Sequence, residues 1–312
     1  MPLDQSVLAA VHTVSLTPLQ ALGIPVAIVG CIFLAVGAQY QQRGVAKVSD
    51  ARHESESKTL GLRQLLLLAR RPSWLIGTGL TVASIVLQLF SLYLAPLTVV
   101  QPLGALALVI TAVLTARTTH ARLASGVKRA IALCVGGVAL FVAVAALTTN
   151  THPLRSLQLV VVLIILAVVL AGFGTAFLVF RSRLPRIVYV IGAGVLFGFV
   201  ATLAKVLITR IQTIIVGGFH LEPADWLTVV CLLGLILAGL LGGYFQQTAY
   251  SSGSTELVVA GLTVIDPIVG VTIGIAVLGE AASAPFWAAI VFVIAGLIAV
   301  AGVVQLSRIG AR

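Results

Sequence analysis

Asp266-Pro267 and Gln101-Pro102 are the positions where this chain offers chemistry, because each places a polar side chain beside a proline in the middle of a long apolar run. A carboxylate at a bilayer centre costs on the order of 2.5–3.5 kcal/mol or more, so Asp266 reads as a site where an ion or solute is handled; the plainer reading is an acid that bonds a neighbouring helix. Each proline, Pro102 and Pro267, lacks an amide hydrogen and frees a carbonyl about one turn back, which can receive water, an ion or a solute donor. Both helices are expected to bend there, for ligand or for packing. Lys205 is the one cation inside a span, on a face shared with Thr202, Ala201, Gly198 and Gly194. It either snorkels to an interface or meets Asp266, in which case the pair would form a lock that substrate or a proton opens.

A stripe of Thr81, Ser84, Gln88 and Ser91, spaced by three, four and three residues, lies on one helical face with Gly77. Such a stripe lines a cavity or bonds another helix. Gln101, Thr202 and Thr263 are further candidates for a cavity wall. Gln39, Gln41 and Gln42 close one run, and Tyr244, Gln246 and Gln247 close another; both groups form a polar vestibule or are simply solvated. Glu256 reads as an interfacial acid and Glu280, after Gly279, as a loop acid.

The elements that must carry these residues are apolar and long. Of 312 residues 60% are hydrophobic and 9% charged, with a mean hydropathy of +1.16, and the runs repeatedly reach the roughly 20 residues that cross about 30 Å of hydrocarbon. A membrane β-barrel would instead alternate over about 10 residues per strand. The expected fold is therefore an all-α polytopic membrane bundle with nine spans, at 19–40, 73–94, 97–116, 128–148, 157–180, 187–209, 226–249, 254–278 and 285–306. Residues 1–18 and 307–312 read as tails, and 41–72 as a polar loop with a surface helix over Leu60 to Ala69.

The net charge of +10 reflects topology rather than nucleic-acid binding. The loop 41–72 holds seven Lys and Arg, 117–129 four, 181–186 three and the C-terminal tail two, all on one side of nine spans. The positive-inside rule then places the N-terminus outside and the C-terminus in the cytoplasm of a bacterial plasma membrane. Cys31, Cys134 and Cys231 lie in apolar runs and read as packing residues. His12, His53, His120, His152 and His220 are scattered without ligand spacing, and no phosphate loop occurs. No metal set, cofactor or catalytic cluster is expected, and so no enzyme.

Phe33-Leu34-Ala35-Val36 can be laid on Phe197-Gly198-Phe199-Val200 at an offset of 164, and Val100-Gln101-Pro102-Leu103 on Ile265-Asp266-Pro267-Ile268 at 165. Residues 19–148 and 187–306 therefore read as two repeats, with 157–180 as a connecting helix. An odd central span inverts one repeat relative to the other, the arrangement that suits alternating access. In span two and span seven Trp74 and Trp226 lie at an offset of 152, so the repeats differ in length before their prolines.

Ala95-Pro96 followed by Gln101-Pro102-Leu103-Gly104-Ala105-Leu106, together with Tyr40-Gln41-Gln42-Arg43-Gly44, Gly194 to Lys205 and Asp266-Pro267 through Leu278-Gly279-Glu280, resembles the drug/metabolite transporter superfamily. The likeness is to its EamA-like members and to the nine-span NIPA-type magnesium transporter-like branch. It implies a basket of inverted repeats around a central cavity, and transport of small organic solutes, drugs or divalent cations. A magnesium site wants hard oxygen ligands, commonly one or two carboxylates, and Asp266 stands nearly alone in the spans. The expected function is secondary export of a small organic solute, with a proton as coupling ion, by a monomer or homodimer in the lipid bilayer. The alternatives are NIPA-type divalent-cation transport and a non-transporting membrane scaffold.

Overall fold

A computed structural model describes residues 17–49, 71–118, 124–149, 155–180, 186–216, 226–252 and 255–310. The predicted surface helix, the five histidines and the side chains of Gln42, Gln247 and Glu256 lie outside the described residues. Those described are almost wholly helical. In order the helices are α1 (Pro18–Ala21), α2 (Gly23–Ser49), α3 (Pro72–Leu94), α4 (Leu97–Leu103), α5 (Leu106–Thr118), α6 (Ser125–Thr148), α7 (Ser156–Phe180), α8 (Arg186–Val216), α9 (Trp226–Ser252), α10 (Thr255–Ala276) and α11 (Phe286–Gly310).

Among the described residues eight helices are long and apolar enough to cross a membrane. The segment expected as span eight is helical over Thr255–Ala276, but its apolar described stretch, Gly261–Ala276, is shorter. Large apolar side chains such as Val168, Leu240, Val293 and Leu297 lie exposed on the outside of the bundle. In water that surface would be untenable over such an extent; in hydrocarbon it is solvated. The architecture is that of a multi-pass helical membrane protein.

Helix α8 is the best enclosed. Leu196, Leu203 and Val206 on it have no exposed surface, and it packs against α9, α10 and α3. It also runs to Val216, beyond the predicted end at 209, which places Lys205 three turns from its end rather than about one. Small residues allow the close contacts, since helix association in lipid relies on fit rather than on expulsion of water. A Cβ on Gly194 would come within 2.7 Å of the Ile265 Cβ, and one on Gly198 within 2.6 Å of the Val269 Cβ. Gly198→Val is therefore expected to destabilise the protein by about 1–3 kcal/mol through overpacking at the α8–α10 contact, read as a lowered midpoint of thermal unfolding in detergent. In the same way Gly137 lies against the α11 backbone at Ala295 and Ala299, and Gly302 against that of α6 at Ala130 and Cys134. Helix α7 separates the halves in sequence but sits at the edge, with Ile164 and Val168 exposed.

The two prolines behave differently. After Pro102 the third predicted span, Leu97–Thr118, is interrupted only by one tightened turn at Gly104-Ala105, with Gly104 still right-handed, and so divides into α4 and α5. The Leu103 carbonyl next to this turn accepts from Cys31 Sγ at 3.3 Å, giving Cys31 a bonding role beside its packing one. Pro267 lies inside α10, which continues through it.

Candidate functional site

Gln101 and Asp266 meet. Nε2 of Gln101, on the last turn of α4, donates to Oδ1 of Asp266, in the middle of α10, at 3.3 Å. Gly270, one turn after Asp266, permits this: a Cβ there would collide with the Gln101 amide. On its other side α10 lies against α8, with the Asp266 carbonyl 3.0 Å from where a Gly198 Cβ would be. Asp266 is half-buried and Gln101 buried. The site thus combines a carboxylate and a primary amide at membrane depth, able to exchange a proton and to form hydrogen bonds with a polar group.

Lys205 does not complete that site. Its ammonium donates to the carbonyls of Leu92 and Ala95, both at 2.7 Å. The α3–α4 junction explains the attraction: Ala95 is extended and Pro96 has no amide hydrogen, so the last carbonyls of α3 have no helical donor. A cation at a helix C-terminus satisfies them and complements the helix dipole. Of the two alternatives, snorkelling or a lock with Asp266, neither describes this contact, which is a backbone clamp.

Glu280 supplies the other half of that clamp, and sequence reasoning missed it. Its Oε1 accepts from the Leu97 amide at 2.7 Å, and its Oε2 from the Thr98 amide at 2.7 Å and the Thr98 hydroxyl at 2.6 Å. It lies in a turn, as expected of a loop acid, but it is buried and caps the first turn of α4 across 183 residues of chain. Gly279 makes this possible. With φ of +72° it ends α10 in a left-handed turn, and the Glu280 amide bonds back to the Gly274 carbonyl at 3.0 Å, turning the side chain towards α4. Lys205 and Glu280 are close enough to interact electrostatically. The only sequence signal was Gly279 before a lone acid; nothing local pairs it with Leu97.

The α3 stripe faces α2. Ser84 Oγ donates to the Gly30 carbonyl and Ser91 Oγ to the Gly23 carbonyl, both at 2.8 Å and buried. Thr81 Oγ1 donates to the Gly77 carbonyl at 3.0 Å and receives the Gln41 amide at 3.3 Å. These three side chains are helix-to-helix bonds rather than a cavity wall, because shared periodicity sets a common face without saying what that face meets. Gln88 is half-buried on the same helix. Ser84→Cys is accordingly expected to resist water-soluble thiol reagents in the folded protein and to react after denaturation. Thr202 is buried and donates to the Gly198 carbonyl at 2.8 Å. Tyr244 is exposed at the bundle surface, edge-on to Phe177 with ring centroids 5.4 Å apart.

A cavity of about 770 Å³ lies along α10 and α11 and is lined by Pro102, Phe141, Thr263, Pro267 and Phe292 among others. Its wall is almost wholly apolar. The hydroxyls of Thr263 and Thr272 in it donate to their own helix, to the Val259 and Ile268 carbonyls at 2.7 and 2.6 Å. Of the expected cavity residues Thr263 reaches it, together with the two helix-break prolines Pro102 and Pro267, whereas Ser84 and Ser91 lie in the α2–α3 interface. Among the described residues no three His, Cys, Asp or Glu side chains converge.

No described protein family matches the chain. It is similar to an uncharacterized protein of Corynebacterium glutamicum, with 29% identity over 245 residues, covering 78% of this chain and 82% of that one. No solved structure matches.

Proposed function

We propose that this protein is a secondary transporter of small organic solutes, of the drug/metabolite transporter kind, working by proton-coupled alternating access in a bacterial plasma membrane. The single observation that carries the reading is the contact of Asp266 with Gln101. A carboxylate is kept in the middle of a membrane helix, and Lys205 is committed elsewhere. Its proton or its charge is then available to a cargo. An amide with one carboxylate suits a proton and a hydrogen-bonding organic solute better than a magnesium ion, which prefers near-octahedral oxygen ligation.

Two inverted repeats are part of this proposal. Gln101 and Asp266, aligned at an offset of 165, bond to each other. The first helix of each half packs on its second, α2 on α3 and α8 on α9. A related pair meeting across an approximate two-fold axis is the position at which repeat transporters bind cargo. The orientation proposed keeps the N-terminus outside, which puts Lys205, Glu280 and the Ala95-Pro96 junction towards the outer face.

A second reading, a non-transporting scaffold, is favoured by Ser84 and Ser91, whose hydroxyls serve helix contacts. The two separate in one experiment. Purified protein in liposomes under an imposed pH gradient is screened against amino acids, cationic dyes and Mg²⁺. Solute-dependent proton movement with an organic solute is the expected result; Mg²⁺ alone would favour the cation branch, and none of the three would favour the scaffold.

A further inference from the structure

We propose that α4 is a moving arm that ties the outer seal to the state of Asp266, held in the closed position by Lys205 and Glu280; this rests on the transporter reading above. The arm has seven residues, Leu97–Leu103, with the extended Ala95-Pro96 junction before it and, after it, an irregular turn at Gly104-Ala105 where the bonds tighten to three residues while Gly104 stays right-handed. A helix this short, set between a true break and a loosened turn, moves as a unit, hinged at those two places where backbone rotation is absorbed. Its first turn is held by Glu280, and Gln101, one turn deeper by about 5 Å, holds Asp266. Both contacts lie along one track on α10: Gly270 faces the Gln101 amide, and a Cβ on Gly274 would come within 3.0 Å of Thr98 Oγ1 and Glu280 Oε2.

The charges explain why this junction has two states. The amides of Leu97 and Thr98 and the carbonyls of Leu92 and Ala95 have no partners within their own helices. In a closed, dry bundle they are satisfied by Glu280 and Lys205, which come from the other half of the chain. Backbone groups at membrane depth accept only such partners or the water of an open vestibule. Opening the outer side therefore exchanges the two charged side chains for water. Because α4 is rigid, the same displacement carries Gln101 away from Asp266. Neutralising Asp266, by a proton or a bound cation, weakens the charge-assisted bond to Gln101 and loosens the arm from its inner end.

The test uses the full chain with Val99→Cys, a position on α4 with no exposed surface. A membrane-impermeant maleimide is applied to intact cells and to inverted vesicles, and the parent protein, whose cysteines are buried, serves as blank. From the side bearing Lys205 and Glu280, labelling is expected to be slow in the Val99→Cys protein. Adding Glu280→Gln should raise it about tenfold or more, the scale of a lost charge-assisted bond. Asp266→Asn, which mimics the uncharged acid, should raise it as well, and the two together should give less than the product of their factors, since both release one arm. If Glu280→Gln abolishes the folded species, Thr98→Val, which removes only the 2.6 Å hydroxyl bond, carries the test with a smaller rise. Unchanged labelling on loosening the clamp would make it a static cap, and simple multiplication of the two factors would separate the seal from Asp266; either overturns the proposal. Loss of proton-linked flux in Asp266→Asn with unchanged labelling would leave the transporter standing and remove the arm. Coupled labelling in a protein that moves no solute would do the reverse.

Discussion

Glu280→Ala is expected to cost about 3–5 kcal/mol, the scale for removing one partner from a buried charged network. Three donors lose their acceptor at once, the Leu97 and Thr98 amides and the Thr98 hydroxyl, all buried. Lys205 loses its neighbouring anion while remaining 2% exposed. Hydrocarbon offers no replacement for any of these, so the loss should exceed that of an ordinary helix cap, about 1 kcal/mol. Thermal unfolding in detergent, followed by tryptophan fluorescence, measures it. Glu280→Gln should fall between the wild type and Glu280→Ala, since one oxygen still accepts. A midpoint unchanged in Glu280→Ala would mean that the carboxylate does not hold α4.

For Asp266→Asn the expected signs are opposite: transport is lost while stability is kept or increased. The substituted amide still presents an oxygen where Gln101 Nε2 donates at 3.3 Å, so the α4–α10 contact is kept as a weaker, neutral bond: the fold holds while α4 is loosened. Removing a charge from the middle of a span also relieves a cost of roughly 2.5–3.5 kcal/mol on insertion scales. Solute-dependent proton movement, in contrast, should fall to the leak of protein-free liposomes, because an amide at this position carries no exchangeable charge. A residue kept for function at the expense of stability shows this split. A variant that is less stable and equally active would make Asp266 a packing residue and its bond to Gln101 a helix contact.

The long apolar helices, eight of the nine expected among the described residues, were legible because apolar runs are local signals. Lys205, Glu280 and Ser84 were not, for a common reason: each is decided by its partner. The three-and-four spacing of Thr81, Ser84 and Ser91 places them on one face of α3, but only the approach of Gly23 and Gly30 on α2 turns that face into an interface. For Lys205 the expectation of a counter-ion overlooked the backbone. At Ala95-Pro96 the orphaned carbonyls attract a cation as well as a carboxylate would, and α8 continues to Val216, too far for Lys205 to snorkel past its end. Glu280 finds Leu97 across 183 residues, a distance at which sequence spacing is silent. Gln101 and Asp266 are a partial exception. Each was marked beside its proline and the two were aligned at an offset of 165, but that they bond to each other appears only in the structure.

The most direct measurement is chemical modification of Asp266 itself. A water-soluble carbodiimide with an amine nucleophile is applied to the native protein from the outer side in intact cells and from the inner side in inverted vesicles, and the Asp266 peptide is read by mass spectrometry, with the denatured protein as positive control. Modification from both sides, slowed by a transported solute, is the predicted result. An Asp266 untouched from either side in the folded protein, yet modified once unfolded, would contradict it.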